Sequence, residues 1–340
     1  MERTFPYKIE PLEEELMKEI EQKFLAYSCQ GLVRVEGSGY VFPSTYAKYA
    51  STYYNYQFKP DDVLVMTHPR CGTTWTQEIV WTMRNGGQLD SSTELGVRSP
   101  FFEFDSLERY ELKPMREWME KHEDPIKEGF YLNLMNSVSS PRTIKTHLPF
   151  SLLNPTLLDT SKVIYVARNP KDTCVSYYHQ QRLVKVSDFQ GSFPEFLDYF
   201  CRDLITLGPF WQHIAEGWEK KDHPSVLFLF YEDMKEDIIR ELRRINKFLG
   251  TGLTDKQLQD VAEHTKFSNM KARPTTNPTK ACVEIGRFRE GEQDFVRKGI
   301  TGDWSNYFTP ALEEKFQCWM EKWKDMSQNI PFKYNFETVA

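Results

Sequence analysis

The sequence contains no apolar run long enough to span a bilayer, and its amino-terminal segment lacks the apolar core of a signal peptide. Its six cysteines form no Cys-x-x-Cys pair, and its seven histidines include no His-Glu-x-x-His motif. These absences argue against a membrane-spanning protein, a disulfide scaffold and a structural metal site. We therefore predict a cytoplasmic protein with reduced thiols, no metal and no membrane partner.

Positive charge is in deficit, since 43 Lys and Arg residues stand against 49 Asp and Glu residues and give a formal charge of −6. This balance disfavours general binding to nucleic acid, although it is compatible with a local basic pocket. Hydrophobic residues make up 40% of the 340 residues, enough for a sizeable core. The sequence also has no repeat, low-complexity tract or obvious linker. We predict a single globular domain without a nucleic-acid partner.

Four apolar runs predict β-strands, and helical patterns lie between them. The runs are residues 63–66, 142–145, 162–167 and 225–230. They lack polar alternation, which is typical of strands that are covered on both faces. Strand and helix alternate along the chain. This order predicts an α/β fold with a mostly parallel central sheet flanked by helices, and a ligand at the carboxyl ends of the strands.

The single domain, residues 1–340, is divided by its pattern into three parts. They are an amino-terminal helix with loops (1–60), a core (61–310) and a carboxyl-terminal helix with a tail (311–340). Residues 31–56 are predicted to form loops and short turns, and residues 88–124 a mobile loop with a helical portion. Residues 275–296 predict a long loop, and loops of that length in compact domains are often lids.

Residues 63–78 are the centre of the functional prediction. A strand meets a tight turn at Gly72, and a helix-compatible segment follows at once. The backbone N–H groups and the dipole at such a helix start favour a phosphate-like anion. Arg70, Thr73 and Thr74 add a positive charge and two hydroxyl donors. An ordinary surface turn between a core strand and a core helix is the alternative.

The loop differs from two well-known phosphate-binding loops. A Walker A motif requires Lys after its second Gly, and here Thr73 follows Gly72. A cysteine-dependent phosphatase requires Arg six residues after its Cys, and Gln77 is six residues after Cys71. Acidic residues at 232 and 233 follow a predicted strand, so a kinase-like magnesium site is kept as an alternative.

Two further groups of polar residues lie at predicted loops. Arg168 with Ser176, and the segment Arg297-Lys298-Gly299 with its two cations, would suit a nucleotide that carries negative groups at two separated places. Lys145 and His147 leave one predicted strand two residues apart. Histidine is the usual general base for a hydroxyl nucleophile, and a nearby cation stabilises charge on a leaving group. Solvated surface charges and a structural histidine are the alternatives.

Five motifs in family order, covering roughly residues 60 to 310, resemble those of the cytosolic sulfotransferases. They are His-Pro-Arg-Cys-Gly-Thr-Thr-Trp at 68–75, Lys-Thr-His-Leu-Pro at 145–149, Val-Ala-Arg-Asn-Pro-Lys-Asp-Thr-Cys-Val-Ser-Tyr-Tyr at 166–178, Phe-Tyr-Glu-Asp-Met at 230–234 and Arg-Lys-Gly-Ile-Thr-Gly-Asp-Trp at 297–304. The resemblance implies transfer of a sulfuryl group from 3′-phosphoadenosine 5′-phosphosulfate (PAPS). The acceptor would be the hydroxyl or amine of a small apolar molecule such as a phenol or a steroid. The nucleotide product would be 3′-phosphoadenosine 5′-phosphate (PAP), and no metal would be needed.

The resemblance also implies roles for individual residues. His147 would take the acceptor's proton, while Arg70 and Lys145 would neutralise the bridging and leaving oxygens. The nucleotide would be held by Cys71, Gly72, Thr73 and Thr74 at the 5′-phosphate, by Trp75, Tyr231, Thr265 and Phe267 at the adenine, and by Arg168, Ser176, Arg297, Lys298 and Gly299 at the 3′-phosphate. The candidate walls of the acceptor pocket are aromatic and consist of Phe101, Phe104 and Phe150.

The chain departs from the family pattern at several positions. It carries Arg70 and Cys71 where the family usually has Lys and Ser, and a planar guanidinium differs from a point-like ammonium. The family's dimer motif would fall on residues 305–314, where Ser305 and Pro310 replace Lys and Val, so a homodimer has only partial support. The sequence is also similar to the insect branch that includes a retinol dehydratase. A sulfuryl-dependent dehydratase of a retinoid-like alcohol, and a catalytically weak binder of nucleotide or hydrophobic ligands, are the alternative functions.

Overall fold

A computed structural model of the chain describes residues 3–107 and 129–334. Its centre is a four-stranded sheet in which all neighbouring strands are parallel. From one edge to the other, the strands are β5 (Thr143–Thr146), β4 (Val63–Met66), β6 (Lys162–Ala167) and β7 (Val226–Phe230). The predicted α/β fold with a mostly parallel sheet is confirmed.

Both faces of this sheet are buried. On β4, Leu64 and Met66 belong to one hydrophobic cluster, and Val63 and Val65 belong to another. All four side chains are buried. A strand that packs against apolar groups on both faces has no solvent side that selects polar residues, which explains the run without polar alternation.

The strand order positions the functional residues. Because β4 lies between β5 and β6, the chain leaves β4 for one side of the sheet and later returns to the other side. This reversal opens a crevice at the carboxyl ends of the strands. Thr67, His147, Arg168 and Tyr231 directly follow β4, β5, β6 and β7. Four residues that are far apart in the sequence therefore lie together at the carboxyl ends of the strands.

A second, antiparallel sheet lies in the amino-terminal part of the chain. In spatial order its strands are β1 (Ile9–Pro11), β2 (Leu32–Val35) and β3 (Val41–Pro43). The prediction of only loops and short turns for residues 31–56 is therefore wrong. Strands of three or four residues are stabilised by pairing, here of Val33 with Phe42, and their own sequence specifies them only weakly.

Helix α3 (Tyr46–Asn55) is the other element that the same prediction missed. Its buried side chains are Tyr46, Tyr49, Ala50 and Tyr53. That spacing follows the period of an α-helix, so a usable signal was present. The low helix propensity of tyrosine and the lack of a side-chain cap obscured it.

The remaining described helices flank the sheet and close its ends. They are α1 (Glu14–Glu21), α2 (Tyr27–Gln30), α4 (Thr73–Arg84), α5 (Leu95–Arg98), α6 (Phe104–Leu107), α7 (Phe130–Ser137), α8 (Leu157–Thr160), α9 (Pro170–Leu183), α10 (Phe193–Cys201), α11 (Phe210–Glu219), α12 (Tyr231–Glu236), α13 (Ile238–Leu249), α14 (Asp255–His264), α15 (Phe267–Ala272), α16 (Thr279–Glu284), α17 (Pro310–Lys322) and α18 (Lys324–Ser327). Short 3₁₀ helices span Phe150–Leu152 and Asp303–Asn306. None of the described helices is both long enough and apolar enough to cross a membrane.

Two of the predicted loops have more structure than expected. The 275–296 loop contains α16, and its later part pairs with the chain beyond α9, where Lys185 N donates to Arg287 O at 2.9 Å. The 88–124 loop contains α5 and α6, and its part from residue 108 onward lies outside the described residues. Its 99–104 segment runs beside β5, since Lys145 N donates to Pro100 O at 2.9 Å.

Candidate active site

The turn between β4 and α4 adopts left-handed backbone angles at two residues. Arg70 has a φ of 70°, and Gly72 has a φ of 99°. A Cβ atom on Gly72 would lie 2.7 Å from the ring of Tyr231, so only glycine allows the turn to approach the end of β7 this closely. Gly72 provides no side-chain cap for α4. The first N–H groups of that helix are therefore available to an anion.

The side chains of this turn are tied to the neighbouring strands. The hydroxyl oxygen of Thr73 lies 2.7 Å from that of Thr67 at the end of β4. Cys71 is fully buried, with its Sγ atom 3.6 Å from the hydroxyl oxygen of Thr173. Burial raises the pKa of the Cys71 thiol to about 12. A thiol that stays protonated at neutral pH is a poor nucleophile, which agrees with setting the phosphatase reading aside.

Three guanidinium groups converge beside the turn. Arg70 donates from Nε to the hydroxyl oxygen of Ser176 at 3.1 Å, and Arg168 donates from Nη1 to the backbone oxygen of Arg70 at 3.2 Å. Burial, together with the charges of Arg168 and Arg297, lowers the pKa of Arg70 to about 10. Like charges gathered in a partly buried site create a strong positive potential, which favours an anionic ligand.

The cations at 297 and 298 are held by a carboxylate that the sequence analysis did not single out. Asp303 is 1% exposed and accepts from Arg297 Nη2 at 2.6 Å and from Lys298 Nζ at 2.7 Å. Asp172, in the first turn of α9, accepts from the backbone N–H groups of Gly302 at 2.7 Å and Trp304 at 3.0 Å. These two carboxylates fix the carboxyl-terminal cations against α9.

Aromatic rings from two parts of the chain face the same region. Trp75 and Tyr231 make an edge-to-face contact with ring centroids 5.6 Å apart. Phe267 lies against Gly299, whose φ is 64° and where an added Cβ atom would approach the Phe267 ring to 2.1 Å. Thr265 is buried, and its hydroxyl donates to Val261 O at 2.8 Å. That hydroxyl therefore satisfies a backbone carbonyl in the last turn of α14.

His147, at the end of β5, is oriented by its Nδ1 atom. That atom lies 2.8 Å from the backbone oxygen of Thr67, an acceptor, so Nδ1 carries the proton. Among the described residues, none is hydrogen-bonded to Nε2, which leaves its lone pair free. Burial, followed by the charge of Lys145, holds the pKa of His147 well below its ordinary value. The imidazole is therefore neutral at physiological pH.

Two side chains that the sequence analysis missed hold the backbone of His147. Glu103 is fully buried and accepts from His147 N at 2.5 Å and from the hydroxyl of Thr146 at 2.8 Å. His213 donates from Nε2 to His147 O at 3.0 Å, while its Nδ1 lies 2.6 Å from the hydroxyl oxygen of Tyr165. No local motif marks either residue, because Glu103 lies in an irregular segment and His213 in the middle of α11.

Lys145 lies on the same strand and shares this environment. Burial lowers the pKa of its ammonium group, the carboxylate of Glu103 opposes that effect and the charge of Arg70 adds to it. Its Nζ atom is 3.8 Å from the centroid of the Phe101 ring. Lys145 thus lies within electrostatic reach of both Arg70 and His147, as a group-transfer site requires.

The structure brings together two of the three predicted acceptor-wall residues. The Phe101 ring contacts His147 and Phe104, each with a centroid distance of 5.2 Å. Phe104 also contacts Tyr131, on α7, at 4.5 Å. Phe150 instead stacks against Tyr165 at 6.4 Å, near the pair formed by Tyr165 and His213. An apolar wall therefore lies directly beside His147.

The acidic residues after β7 are engaged in packing contacts. Glu232 Oε1 accepts from the backbone N–H of Asn169 at 2.9 Å and from its side-chain amide at 3.0 Å. Asp233 pairs with Lys333 at 2.7 Å. Over residues 3–107 and 129–334, no group of three His, Cys, Asp or Glu side chains is arranged to hold a metal ion.

The residues present fit a nucleotide that carries two separated anionic groups. The Nε atoms of Arg168 and Arg297 and the indole N–H of Trp75 are buried without a protein partner. Buried donors of this kind cost free energy unless a ligand or water accepts from them. Because Gly72 and Gly299 lack side chains, their backbones can lie directly against the rings of Tyr231 and Phe267. With a neutral imidazole and two cations beside an apolar wall, the crevice can transfer an anionic group to a hydroxyl.

Sequence comparison gives an independent finding. Residues 60–329 match the family model described as "Sulfotransferase domain". The chain is similar to human sulfotransferase 1E1, with 36% identity over 284 residues that cover 83% of this chain and 90% of that protein. It is also similar to rat sulfotransferase 1A1, with 36% identity over 297 residues that cover 86% of this chain and 94% of the relative.

Structure comparison agrees. The fold matches that of retinol dehydratase, solved in complex with retinol and PAP, with a TM-score of 0.87 and 31% identity. That match covers 97% of this chain and 100% of the other. Mouse sulfotransferase SULT7A1, complexed with PAP, matches with a TM-score of 0.64 and 25% identity over 87% of this chain and 95% of its own.

Proposed function

Because the chain belongs to the sulfotransferase family, we propose that His147 is the general base with which it transfers a sulfuryl group to an acceptor hydroxyl. The chain is a PAPS-dependent sulfotransferase, and PAPS supplies the sulfuryl group when it is bound. The observation that carries the proposal is the 2.8 Å contact between His147 Nδ1 and Thr67 O. It leaves Nε2 as the proton acceptor, beside the aromatic acceptor wall.

Arg70 and Lys145 are proposed to stabilise the negative charge that develops on the bridging oxygen during transfer. Lys145 lies near His147 and Arg70 lies near Lys145, and burial strengthens the interaction of both cations with an anion because the local dielectric is low. The guanidinium of Arg70 already bonds to Ser176, so its charge is directed toward the donor side. A fixed charge needs little reorganisation during the reaction.

The remaining donor contacts are proposed from the positions of their side chains and backbone. The 5′-phosphate would be held at the start of α4, the adenine between aromatic rings, and the 3′-phosphate by hydroxyl and cationic groups. In that order, the residues are Cys71, Gly72, Thr73 and Thr74, then Trp75, Tyr231, Thr265 and Phe267, then Arg168, Ser176, Arg297, Lys298 and Gly299. The buried, unpaired Nε atoms of Arg168 and Arg297 support this assignment.

The acceptor is proposed to be a flat, apolar phenol, steroid or other alcohol. Phe101 and Phe104 offer aromatic surface beside His147, and Phe150, which stacks on Tyr165, is kept as a third candidate wall residue. Aromatic walls favour flat apolar ligands, because stacking adds to the burial of apolar area.

A second candidate function is elimination from a retinoid-like alcohol. The observation that favours it is the TM-score of 0.87 to retinol dehydratase, against 0.64 to the mouse sulfotransferase. In that case, the same donor site and base would act, but the final product would be an alkene.

Product analysis distinguishes these candidates. The purified enzyme is incubated with labelled PAPS and a panel containing simple phenols, androsterone and retinol, and the products are identified by mass. We expect a sulfated phenol or steroid. A dehydrated retinoid would support elimination, and the absence of any product with bound PAPS would favour a protein that only binds the nucleotide.

Replacement of the base is the direct test of the mechanism. His147→Ala should abolish turnover and leave PAP affinity nearly unchanged, because the imidazole lies on the acceptor side of the crevice. At a PAP concentration about 100 times its dissociation constant, wild type and variant should gain the same stability, about 2.7 kcal/mol. His223→Ala, on the turn before β7, is the control. Retained turnover in His147→Ala would contradict the assignment.

We also propose a cytoplasmic location. Five cysteines, Cys29, Cys71, Cys174, Cys201 and Cys318, are reduced thiols in the structure, which suits a reducing compartment. Fractionation of cells that express the tagged chain tests this proposal, and recovery of the chain with secreted protein would contradict it.

Residues 305–314 are proposed not to form a dimer contact. Ser305 and Pro310 stand where the family motif has Lys and Val. Thr309 is the N-cap of α17 and accepts from Leu312 N at 3.4 Å, and Pro310 is the first residue of that helix. Residues 309 and 310 therefore form the start of helix α17.

A further inference from the structure

A buried carboxylate on the nucleotide-side helix takes no part in the mechanism above. Glu78 lies on α4, three residues after Trp75, and its side chain is 0% exposed. It faces three basic side chains from other parts of the chain, which are Arg98, His264 and Arg273. We call these four residues the Glu78 cluster.

The contacts within the cluster are specific to each carboxylate oxygen. Oε2 of Glu78 accepts from Arg98 Nη2 at 2.8 Å, and Oε1 accepts from His264 Nε2 at 2.7 Å. Arg273 Nη1 lies 2.7 Å from both Nδ1 and Nε2 of His264, and the contact of Nε2 with the Glu78 carboxylate, an acceptor, places a proton on Nε2. Despite burial, which raises it, the pKa of Glu78 lies below its ordinary value because His264, Arg98 and Arg273 stabilise the charged form.

Arg98 connects Glu78 to the acceptor side of the site. It is the last residue of α5 and is followed directly by the 99–104 segment, which contains Phe101. Its Nε atom donates to Thr93 O at 2.9 Å, and its guanidinium lies 4.6 Å from the centroid of the Trp81 ring. The adjacent Gln77 donates to Ser99 O at 3.0 Å. Helix α4 therefore fixes the start of the segment that carries the acceptor wall.

His264 and Arg273 connect Glu78 to the donor side. His264 ends α14 and directly precedes Thr265, and α15 begins two residues later with Phe267. Arg273 directly follows α15 at the start of the 275–296 loop, where Leu95 N donates to Thr275 O at 3.0 Å. The segment proposed to hold the adenine is thus bracketed by two contacts to one carboxylate.

We propose that Glu78 is a positioning residue that holds the adenine-side segment and the acceptor-side segment in register on helix α4. The proposal rests on the function proposed above, because it assigns those segments to donor and acceptor. The buried Arg98 and the partly buried Arg273 share this carboxylate, so its removal takes away the charge that both contact and lets both segments shift. Misplacement by about 1 Å can reduce catalytic efficiency by about 100-fold.

The test compares two buried carboxylates in the same protein. Glu78→Gln keeps the shape of the side chain and removes its charge. The matched control is Asp62→Asn. Asp62 is equally buried and accepts from Arg142 Nε at 2.8 Å. It directly precedes β4 and therefore lies at the amino ends of the strands, away from the crevice. Both variants should lower the melting temperature. The measurements are the dissociation constant for PAP by calorimetry and kcat and KM for the best acceptor found in the panel.

We expect Glu78→Gln to raise both the PAP dissociation constant and the acceptor KM, with kcat/KM reduced by about 10- to 100-fold. Asp62→Asn should change these constants by less than about twofold, since its charge lies far from the crevice. If Glu78→Gln loses stability like the control but keeps both constants, the residue is only structural and the proposal is overturned.

A second variant keeps the proposal testable if Glu78→Gln does not fold. Arg98→Lys keeps the positive charge but cannot reach both Glu78 and Thr93 O. It should raise the acceptor KM and leave PAP affinity unchanged, and an unchanged acceptor KM would overturn the proposal. Wild-type turnover, measured first, separates this result from a failure of the proposed function.

Discussion

His147 is held at three of its atoms by residues from three elements. Thr67 fixes Nδ1, Glu103 binds the backbone N–H, and His213 binds the backbone oxygen. The position of the proposed base thus depends on strand β4, the 99–104 segment and helix α11 together. Sequence motifs singled out His147 as the candidate base, but they could not single out Glu103 or His213, because a buried carboxylate or imidazole has no local pattern.

The pH dependence of turnover follows from two shifted groups. The pKa of His147 is lowered, so its neutral form persists below the ordinary histidine pKa of about 6.5. The pKa of Lys145 is also lowered, so its charge is lost as pH rises at values below the ordinary lysine pKa of about 10.4. With an alkyl alcohol as acceptor, kcat/KM should form a bell with its acid limb below 6.5 and its alkaline limb below 10.4.

Lys145→Arg provides the control for that profile, because a guanidinium keeps its charge to higher pH than an ammonium group. The alkaline limb should move to higher pH and the acid limb should stay in place. An alkaline limb that does not move would mean that another group titrates there.

Arg70 is one of the residues at which this chain departs from the family pattern. The guanidinium of Arg70 donates from Nε to Ser176 Oγ at 3.1 Å and from Nη2 to Phe295 O at 3.0 Å. A lysine has one side-chain nitrogen and could not make both contacts in this geometry. Arg70→Lys should therefore remain active with a KM for PAPS raised about two- to tenfold, the effect of one lost hydrogen bond. Steady-state kinetics over a range of PAPS concentrations measure this change. An inactive variant would mean that the planar fork is itself required.

At the scale of elements, the site is built from the turns that follow parallel strands. Helix α9 begins with Asn169 as its N-cap, whose side chain accepts from Asp172 N at 2.9 Å, and with Pro170 at its first position. The sequence marks both features, and it likewise marks Gly72 at the start of α4. Strand ends, glycine turns and helix caps are local, which is why these elements were predicted within a few residues of their observed bounds.

Gly299 allows a separate prediction about the close approach of two segments. Gly299→Ala would place a Cβ atom 2.1 Å from the Phe267 ring at a φ of 64°, so the ring must move and PAP affinity should fall. Gly86→Ala is the matched control, because its φ is 69° and nothing lies within 4 Å. Both variants should lose about 1–2 kcal/mol of stability through backbone strain.

Calorimetry with PAP and thermal melts separate the two effects in this pair. Only Gly299→Ala should weaken PAP binding. Equal PAP affinity in both variants would show that the position of Phe267 does not matter to the nucleotide.

For the molecule as a whole, the prediction concerns the oligomeric state in solution. A chain of 40.2 kDa without a contact through residues 305–314 should sediment as a monomer at micromolar concentration. Sedimentation velocity measures this directly. If a dimer is observed, Pro310→Val with Ser305→Lys decides whether that segment forms it, since restoring the motif should then strengthen the dimer.

The sequence by itself determined the α/β class and the four parallel strands, and it marked the loop proposed to bind the anion, the proposed base and the cations assigned to the same site. Each of these features depends on residues that are close together in the chain. Only the tertiary structure revealed the antiparallel sheet, the anchors of His147, the carboxylate that holds Arg297 and Lys298, and the Glu78 cluster. These features arise between distant segments. Short strands exist through their pairing, and the role of a buried charge is defined by the neighbours that folding brings to it.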